Sequence, residues 1–404
     1  MENMVTSIKS YDYLIVGGGI VGLAVAYALI KKKPDSSICV IEKESTFGAH
    51  QSTHNSGVLH AGLYYKPGSF KARLSVEGIQ LMTDFCRKHS IKHEICGKTV
   101  IATTEAEVTR LNGLYQRGKA NGLKGLRYLS GEQIKEIEPH ASGIKAIHVP
   151  QEGIVDYQGV IQKLTELLVL DGVDLVNNCQ FSSSKEKNSD LEVETTKGSF
   201  STKYLINCGG LYSDRIAKKS GLNSNVKIIA FRGEYFNLKN ESKHLVKNLI
   251  YPVPDPSFPF LGVHFTRMIN GNIEAGPNAV LAFSREGYKI TDFNLKDFFE
   301  AVTYQGLWRF LAKYPAISLY EFYRSMNKKE FTRSLQKLIP SIEEKDLVSA
   351  GSGVRAQAMH SNGTLEQDFY FKESSKMLHV INAPSPAATS SLAIGNVIAS
   401  KVTQ

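Results

Sequence analysis

Paired cysteines are missing from this chain. Its five, Cys39, Cys86, Cys96, Cys179 and Cys208, are odd in number and scattered, and none forms a CxxC pair. That argues against a disulfide framework or a structural zinc site and fits a reducing compartment, hence a cytoplasmic location. A membrane span is also lacking. The stretch most like one, Tyr13 to Ile30, has only Lys9 as positive charge before it, is interrupted by glycines, and is followed by Lys31 to Lys33. A buried strand, turn and helix accounts for it better than a span or a cleaved presequence. No repeat, low-complexity tract or basic stripe with interleaved aromatics occurs, so nucleic acid is not an expected partner. Acidic residues are the scarcer charged group, 39 against 48 Lys and Arg, for a net charge of +9. The surplus fits a solvated basic surface or attraction to an anion: a carboxylate substrate, a phosphate-bearing cofactor or an acidic membrane face.

What is present is an ordinary globular composition, 42% hydrophobic and 22% charged, over 404 residues. That length exceeds one typical core, so two domains are expected. Asp12 to Val16 reads as a buried strand, Gly17 to Gly19 as a turn, Ile20 to Ile30 as a helix apolar nearly all round, and Ser37 to Glu42 as a second strand. The polar region Phe47 to Tyr65 is an expected functional loop. A helix is expected over Phe70 to His89, a strand over Ile95 to Ala102, and helical structure with loops from Glu105 to Leu129. Gly153 to Leu170 reads as a turn and a helix, and Tyr204 to Asn207 as another buried strand. Val226 to Leu238, Ile250 to Phe265 and Ile273 to Phe283 suggest an antiparallel sheet. Helices are expected over Asp297 to Lys313 and Tyr320 to Leu338, short strands with glycines over Asp346 to Arg355, a strand over Leu378 to Ala383, and a closing helix over Ala388 to Lys401. This order predicts an α/β fold: a Rossmann-like domain assembled from residues 1–93, 151–222 and 346–404, with an inserted α+β substrate domain, residues 94–150 and 223–345, on an antiparallel sheet.

Gly17-Gly18-Gly19-Ile20-Val21-Gly22 matches GxGxxG. Gly17 permits the tight turn, Gly19 a close approach to pyrophosphate, and Gly22 close helix–strand packing. Ile20 and Val21 open the helix, whose N-terminal N–H groups attract phosphate. Glu42 ends the next strand, where a carboxylate accepts hydrogen bonds from an adenosine ribose, with Lys43 beside it. A dinucleotide is expected; a nicotinamide cofactor would satisfy this loop equally.

Longer motifs narrow the choice. They include Gln51-Ser52-Thr53-His54-Asn55-Ser56-Gly57-Val58-Leu59-His60-Ala61-Gly62-Leu63-Tyr64-Tyr65, Gly153-Ile154-Val155-Asp156-Tyr157, Phe231-Arg232-Gly233-Glu234-Tyr235 and Phe258-Pro259-Phe260-Leu261-Gly262-Val263-His264-Phe265. Gly209-Gly210-Leu211-Tyr212-Ser213-Asp214-Arg215, Tyr251-Pro252-Val253-Pro254-Asp255, Gly276-Pro277-Asn278-Ala279-Val280-Leu281-Ala282-Phe283, Gly353-Val354-Arg355-Ala356-Gln357-Ala358 and Asn382-Ala383-Pro384-Ser385-Pro386-Ala387-Ala388-Thr389-Ser390-Ser391 complete the set. Together they resemble the L-2-hydroxyglutarate dehydrogenase/oxidase family, of the FAD-dependent D-amino-acid-oxidase-like superfamily, over essentially the whole chain. Two departures are Thr53, where the family pattern has Gly, and one residue fewer between Thr266 and Arg267. The resemblance implies FAD as cofactor, oxidation of the (S)-2-hydroxy acid of a five-carbon dicarboxylate to 2-oxoglutarate, and oxygen or a quinone as final acceptor. Peripheral contact with the inner face of the cytoplasmic membrane would serve quinone delivery.

The chemistry asks for particular side chains. Loss of a hydride from the α-carbon is matched by loss of the hydroxyl proton, so a base is needed, and histidine suits it. His60 and His264 are the candidates, with neither preferred; His54 lies beside the expected flavin. Arg355 offers a planar fork to a carboxylate. The second carboxylate has candidates in Tyr64, Lys66, Arg73, Arg232, Arg267, Asn278 and Asn382. Cofactor contacts are expected from Ser52, Asn55, Ser56 and Gly57, from Cys208 and Gly209 at a strand end, and from Gly353. Ser385, Pro386, Ala387, Ala388 and Thr389 are placed to face the flavin's pyrimidine edge with N–H groups at a helix start. Three other readings stay open: an amino-acid or N-methyl-amine oxidase of the same superfamily, a non-catalytic flavin-binding protein, and an NAD(P)-dependent dehydrogenase.

Overall fold

The computed structural model describes residues 8–256 and 260–404. Phe258 and Pro259, within one expected strand and one family motif, lie outside the described residues. The chain opens as its hydrophobic pattern requires. Strand Lys9–Val16 buries Leu14, Ile15 and Val16, and helix Ile20–Lys32 buries nine of its residues. Each large apolar side chain so buried contributes roughly 1.5–3 kcal/mol. The closing helix, Ser391–Val402, lies directly on that first helix. Gly395 makes the approach possible, since a Cβ there would stand 2.4 Å from the Ala24 carbonyl oxygen.

Lys9–Val16 sits inside an eight-stranded sheet, parallel to Gly198–Asn207 on one side and to Ile38–Ile41 on the other. Asp174–Val176 extends it in parallel, Met377–Asn382 pairs in parallel with the end of Gly198–Asn207, and an antiparallel hairpin, Phe181–Lys187 and Asp190–Thr195, forms one edge. A nine-stranded, mostly antiparallel sheet carries the rest. Its spine is the ladder between Val226–Leu238 and Leu347–His360, which sets Phe231 opposite Arg355 and Gly233 opposite Gly353. The molecule is therefore an α/β fold with a mixed sheet for the nucleotide and an antiparallel sheet for the substrate.

Several expectations need adjustment. The short strands expected over 346–355 are one continuous strand, Leu347–His360, and it belongs to the antiparallel sheet rather than to the nucleotide sheet. The helix expected from Glu105 stops at Ala120, and Arg127–Ser130 is a strand. Asp297 to Lys313 and Tyr320 to Leu338 are each broken into two helices. Gly153–Val155 pairs as a strand with Val58–Leu59 and His93–Glu94, which draws the polar loop toward the core.

Candidate functional site

A cavity of about 720 Å³ runs from the glycine turn to the face of the antiparallel sheet. One wall is mainly backbone. A Cβ on Gly17 would lie 2.5 Å from the Cys208 carbonyl oxygen, and one on Gly22 would lie 2.0 Å from the Gly17 carbonyl oxygen. Only glycine fits at either place, so turn, helix and Cys208 close up together. The Glu42 carboxylate accepts from the Gly18 N–H at 2.7 Å and the Glu44 N–H at 3.0 Å, fixing it beneath the turn. Ser52 Oγ accepts from the Ile20 N–H at 2.9 Å. The N–H groups of Val21 and Gly22 have no partner among the described residues, so the helix start is left as an anion site.

The loop after the second strand packs down by its own hydrogen bonds. Asn55 donates to the carbonyls of Gln51 and Ser52 and accepts from the Gly57 N–H. Thr53 is accommodated where the family pattern has Gly: its hydroxyl donates to the Gly48 carbonyl at 2.8 Å, and its φ is not positive. His54 lies against Tyr288, ring centroids 4.4 Å apart. At the far end, the run Ser385 to Thr389 is a turn that precedes the closing helix rather than its first turn. The amides of Ala388 and Thr389 have no partner among the described residues, while the Thr389 hydroxyl meets Tyr157 Oη at 2.9 Å.

The facing wall is made of side chains. His60 and His264 both line the cavity, as do Arg355, Tyr64, Tyr65, Lys71 and Tyr251. Behind His60 lies a buried ion pair that sequence reasoning missed. Lys98 and Glu152, 0% and 1% exposed, are in direct contact, and a Glu152 oxygen lies 3.6 Å from His60 Nδ1. That distance is an electrostatic contact, longer than a hydrogen bond. The other Glu152 oxygen accepts from the Ala61 N–H at 3.2 Å. Lys98 sits 4.5 Å from the Tyr64 ring centroid and 4.7 Å from that of Tyr251. Burial works to raise the Glu152 pKa, but the Lys98 ammonium and His60 bring it below the usual carboxylate range. Burial lowers the pKa of His60, and Glu152 opposes that. His264 differs. Burial pushes it down to about 3, its Nδ1–H donates to the Gly262 carbonyl at 2.9 Å, and its ring stacks on Tyr251.

Arg355 projects from the long ladder, one guanidinium nitrogen donating to the Asn278 carbonyl at 3.1 Å, with no carboxylate in salt-bridge range among the described residues. Arg232 and Asn278, expected at the substrate, stand behind it instead. Arg232 pairs with Glu234 at 2.8 Å, and Asn278 both donates to that carboxylate and accepts from the Glu234 N–H. Asn382 is spent on backbone, accepting from Ala358 and donating to the carbonyls of Glu366 and Asp368. Arg73 lies over the Phe70 ring, and Arg267 pairs with Glu94. None of these five arginine and asparagine side chains, nor Lys66, Gly22 or Gly57, lines the cavity. The remaining expected contacts do: Gly17, Gly19, Ile20, Val21, Glu42, Lys43, Ser52, His54, Asn55, Ser56, Cys208, Gly209, Gly353 and Ser385 to Thr389. Tyr64 Oη is buried there with no hydrogen-bond partner.

A cavity joining a dinucleotide turn to an acid–base wall invites comparison with known enzymes. The FAD dependent oxidoreductase family matches residues 12–401. An L-2-hydroxyglutarate dehydrogenase of Indibacter alkaliphilus is 48% identical over 389 residues, covering 96% of this chain and 98% of its own. The chain belongs to the L-2-hydroxyglutarate dehydrogenase family. A mitochondrial member from Nematostella vectensis is 47% identical over 415 residues, with 98% and 91% covered. The fold is also that of an L-α-glycerophosphate oxidase from Mycoplasma pneumoniae, solved with FAD bound, at TM-score 0.80 and 21% identity, covering 97% and 95% of the two chains. The protein is an FAD-dependent oxidoreductase, and its nucleotide wall fits that cofactor: the unpartnered N–H group of Val21, the glycine contacts and Glu42 suit the adenosine diphosphate half, and the open amides of Ala388 and Thr389 suit an anionic ring edge. Among the described residues, no helix is long and apolar enough to cross a membrane.

Proposed function

We propose that the protein oxidises L-2-hydroxyglutarate to 2-oxoglutarate, the activity for which its family relatives are named. FAD, when bound, supplies the hydride acceptor. The chain supplies the rest. Arg355 grips the carboxylate next to the reacting carbon with a fork of donors, its guanidinium held from behind by Asn278. His60 removes the hydroxyl proton. The observation that carries this choice is the Glu152 carboxylate 3.6 Å from Nδ1. It favours the tautomer with a proton on Nδ1, which leaves Nε2 free to accept one. It also stabilises the imidazolium that results, and Lys98 keeps that carboxylate ionised. His264 has a carbonyl rather than a carboxylate on Nδ1, and among the described residues no acid in salt-bridge range to balance a positive ring, so it serves as a neutral hydrogen-bonding wall.

The test is an anaerobic titration of the flavin-loaded protein with each enantiomer of 2-hydroxyglutarate. The L form should bleach the flavin and the D form should not. Equal bleaching by D, or preferential bleaching by glycine, sarcosine or proline, would reject the substrate and return the amine-oxidase reading.

Turnover needs a second acceptor, and a quinone reached at a membrane surface is the reading we favour over oxygen. It is supported by a cluster of exposed apolar side chains between residues 290 and 326. Phe293, Leu295, Phe299, Trp308, Leu319 and Met326 are each more than half exposed, among exposed Lys289, Lys296, Arg309, Lys313 and Lys329. Exposed apolar side chains interspersed with lysine and arginine along one stretch of the chain suit shallow insertion into an anionic leaflet. Trp308 fluorescence should shift blue on vesicles containing anionic lipid and not on neutral ones. No shift on either would reject the membrane reading.

A further inference from the structure

Two of the cations lining the cavity stand apart because, among the described residues, no carboxylate lies within salt-bridge range of them. Lys43 pairs with Glu286, and Arg215 with Asp297 and Glu300, while Lys219 and Lys296 are in solvent. The two left are Arg355 and Lys71. Lys71 is the second residue of helix Phe70–Lys88, and its ammonium lies 4.8 Å from the Tyr65 ring centroid. The acid nearest to hand, Asp368, is spent on backbone: its oxygens accept from the N–H groups of Phe70 at 2.8 Å, Lys71 at 2.7 Å and Phe369 at 2.8 Å. Burial pushes the Lys71 amine down to about 8, and the Asp368 carboxylate, held on backbone N–H groups, opposes this only in part. An ammonium withdrawn from water onto an aromatic face carries a desolvation cost that an anionic ligand offsets.

We infer that Lys71 is the subsite for the second carboxylate of the substrate, and that it sets the preference for a dicarboxylate over 2-hydroxy acids that end in a methyl group. The inference rests on the substrate reading above. Division of labour follows from the two cations. Arginine fixes the carboxylate beside the reacting carbon by a planar fork. Lysine, a point charge on a flexible stem, follows the far end of a chain that rotates freely.

The test compares holoenzymes, wild type and Lys71→Met, on L-2-hydroxyglutarate and on (S)-2-hydroxypentanoate, which has the same chain length but no second carboxylate. Loss of a charge-assisted hydrogen bond predicts that the ratio of kcat/KM for the diacid over the monoacid falls about 10- to 100-fold, mostly through KM. Lys71→Arg should recover much of that ratio. A second readout needs no turnover. In wild type, 2-oxoglutarate should protect Lys71 from acylation by an amine reagent, measured by peptide mass spectrometry, and 2-oxopentanoate should not. An unchanged ratio, or equal protection by both keto acids, would overturn the inference while leaving the substrate reading intact. A flavin-loaded wild type that L-2-hydroxyglutarate fails to bleach would overturn both.

Discussion

The two walls of the cavity are built on opposite principles. The nucleotide wall offers mainly backbone N–H groups and glycines, and at Gly17 and Gly22 it excludes any side chain. The facing wall offers His60, Lys71 and Arg355, with Lys98 and Glu152 behind His60, brought together from distant parts of the chain; of these charges only Lys98 and Glu152 balance each other. The first wall fails by steric obstruction, which is nearly all-or-none. The second fails by loss of charge balance, which is graded and depends on pH. This difference lets substitutions on the two walls be told apart by what they leave behind: flavin without catalysis, or neither.

The largest effect is expected at Gly22. Its Cβ would stand 2.0 Å from the Gly17 carbonyl oxygen, a backbone atom that cannot step aside alone. Gly22→Ala should therefore purify nearly free of flavin, read from the ratio of absorbance near 450 nm to that at 280 nm. A fully yellow Gly22→Ala protein would break the account of this wall. Next comes the base. His60→Gln should keep its flavin and lose about 10²- to 10⁴-fold in the rate of anaerobic bleaching. His264→Gln should lose far less, and the reverse ranking would transfer the role of base.

Glu152→Gln is expected to act in two ways. It strands Lys98 without its partner in a fully buried site, costing about 3–5 kcal/mol of stability. It also removes the one charge that raises the pKa of His60 against burial and against Lys98 and Lys71. A base works when neutral, so activity falls as pH drops through its pKa. With that pKa lowered further, the acid limb of the pH–rate profile should move to lower pH, while the plateau rate falls because the imidazolium has lost its counter-charge. The double variant Glu152→Gln with Lys98→Met should regain stability but not the plateau. Recovery of both would make the pair a packing feature only.

How much of this was legible in the sequence follows the same division. The nucleotide wall announces itself locally: three glycines, a fourth at the right spacing, and Glu42 at the end of the next strand. The substrate wall has no local signal. Lys98 opens a strand, Lys98–Ala102, in which every residue is buried, although a lone lysine at a strand end ordinarily marks the surface. Glu152 precedes a family motif without belonging to it, and Lys71 looks like one more solvated helix residue. A buried ion pair is visible only once the fold has joined its partners. Arg232 and Asn278 misled in the other direction. They lie in family-like motifs, yet their side chains turn toward Glu234, and only the backbone carbonyl of Asn278 meets Arg355. The strand Leu347–His360 was hidden by its glycines and alanines. Its long ladder with Val226–Leu238 overrides their weak strand preference.

The smallest expected effect is the sharpest check on the contrast, because it removes a side chain from the backbone wall. Ser52 Oγ accepts from the Ile20 N–H at 2.9 Å, so it acts as a cap on the dinucleotide helix although it comes from a loop well downstream. Losing such a cap costs about 1 kcal/mol. If the phosphates are held by the N–H groups themselves, Ser52→Ala frees one more donor rather than removing one. Stability should fall by about that amount in urea titrations, while FAD affinity changes by only a few-fold and the bleaching rate stays within a factor of about two. A loss of flavin comparable to that of Gly22→Ala would mean that the loop side chains, not the backbone, grip the cofactor, and the distinction between the two walls would have to be redrawn.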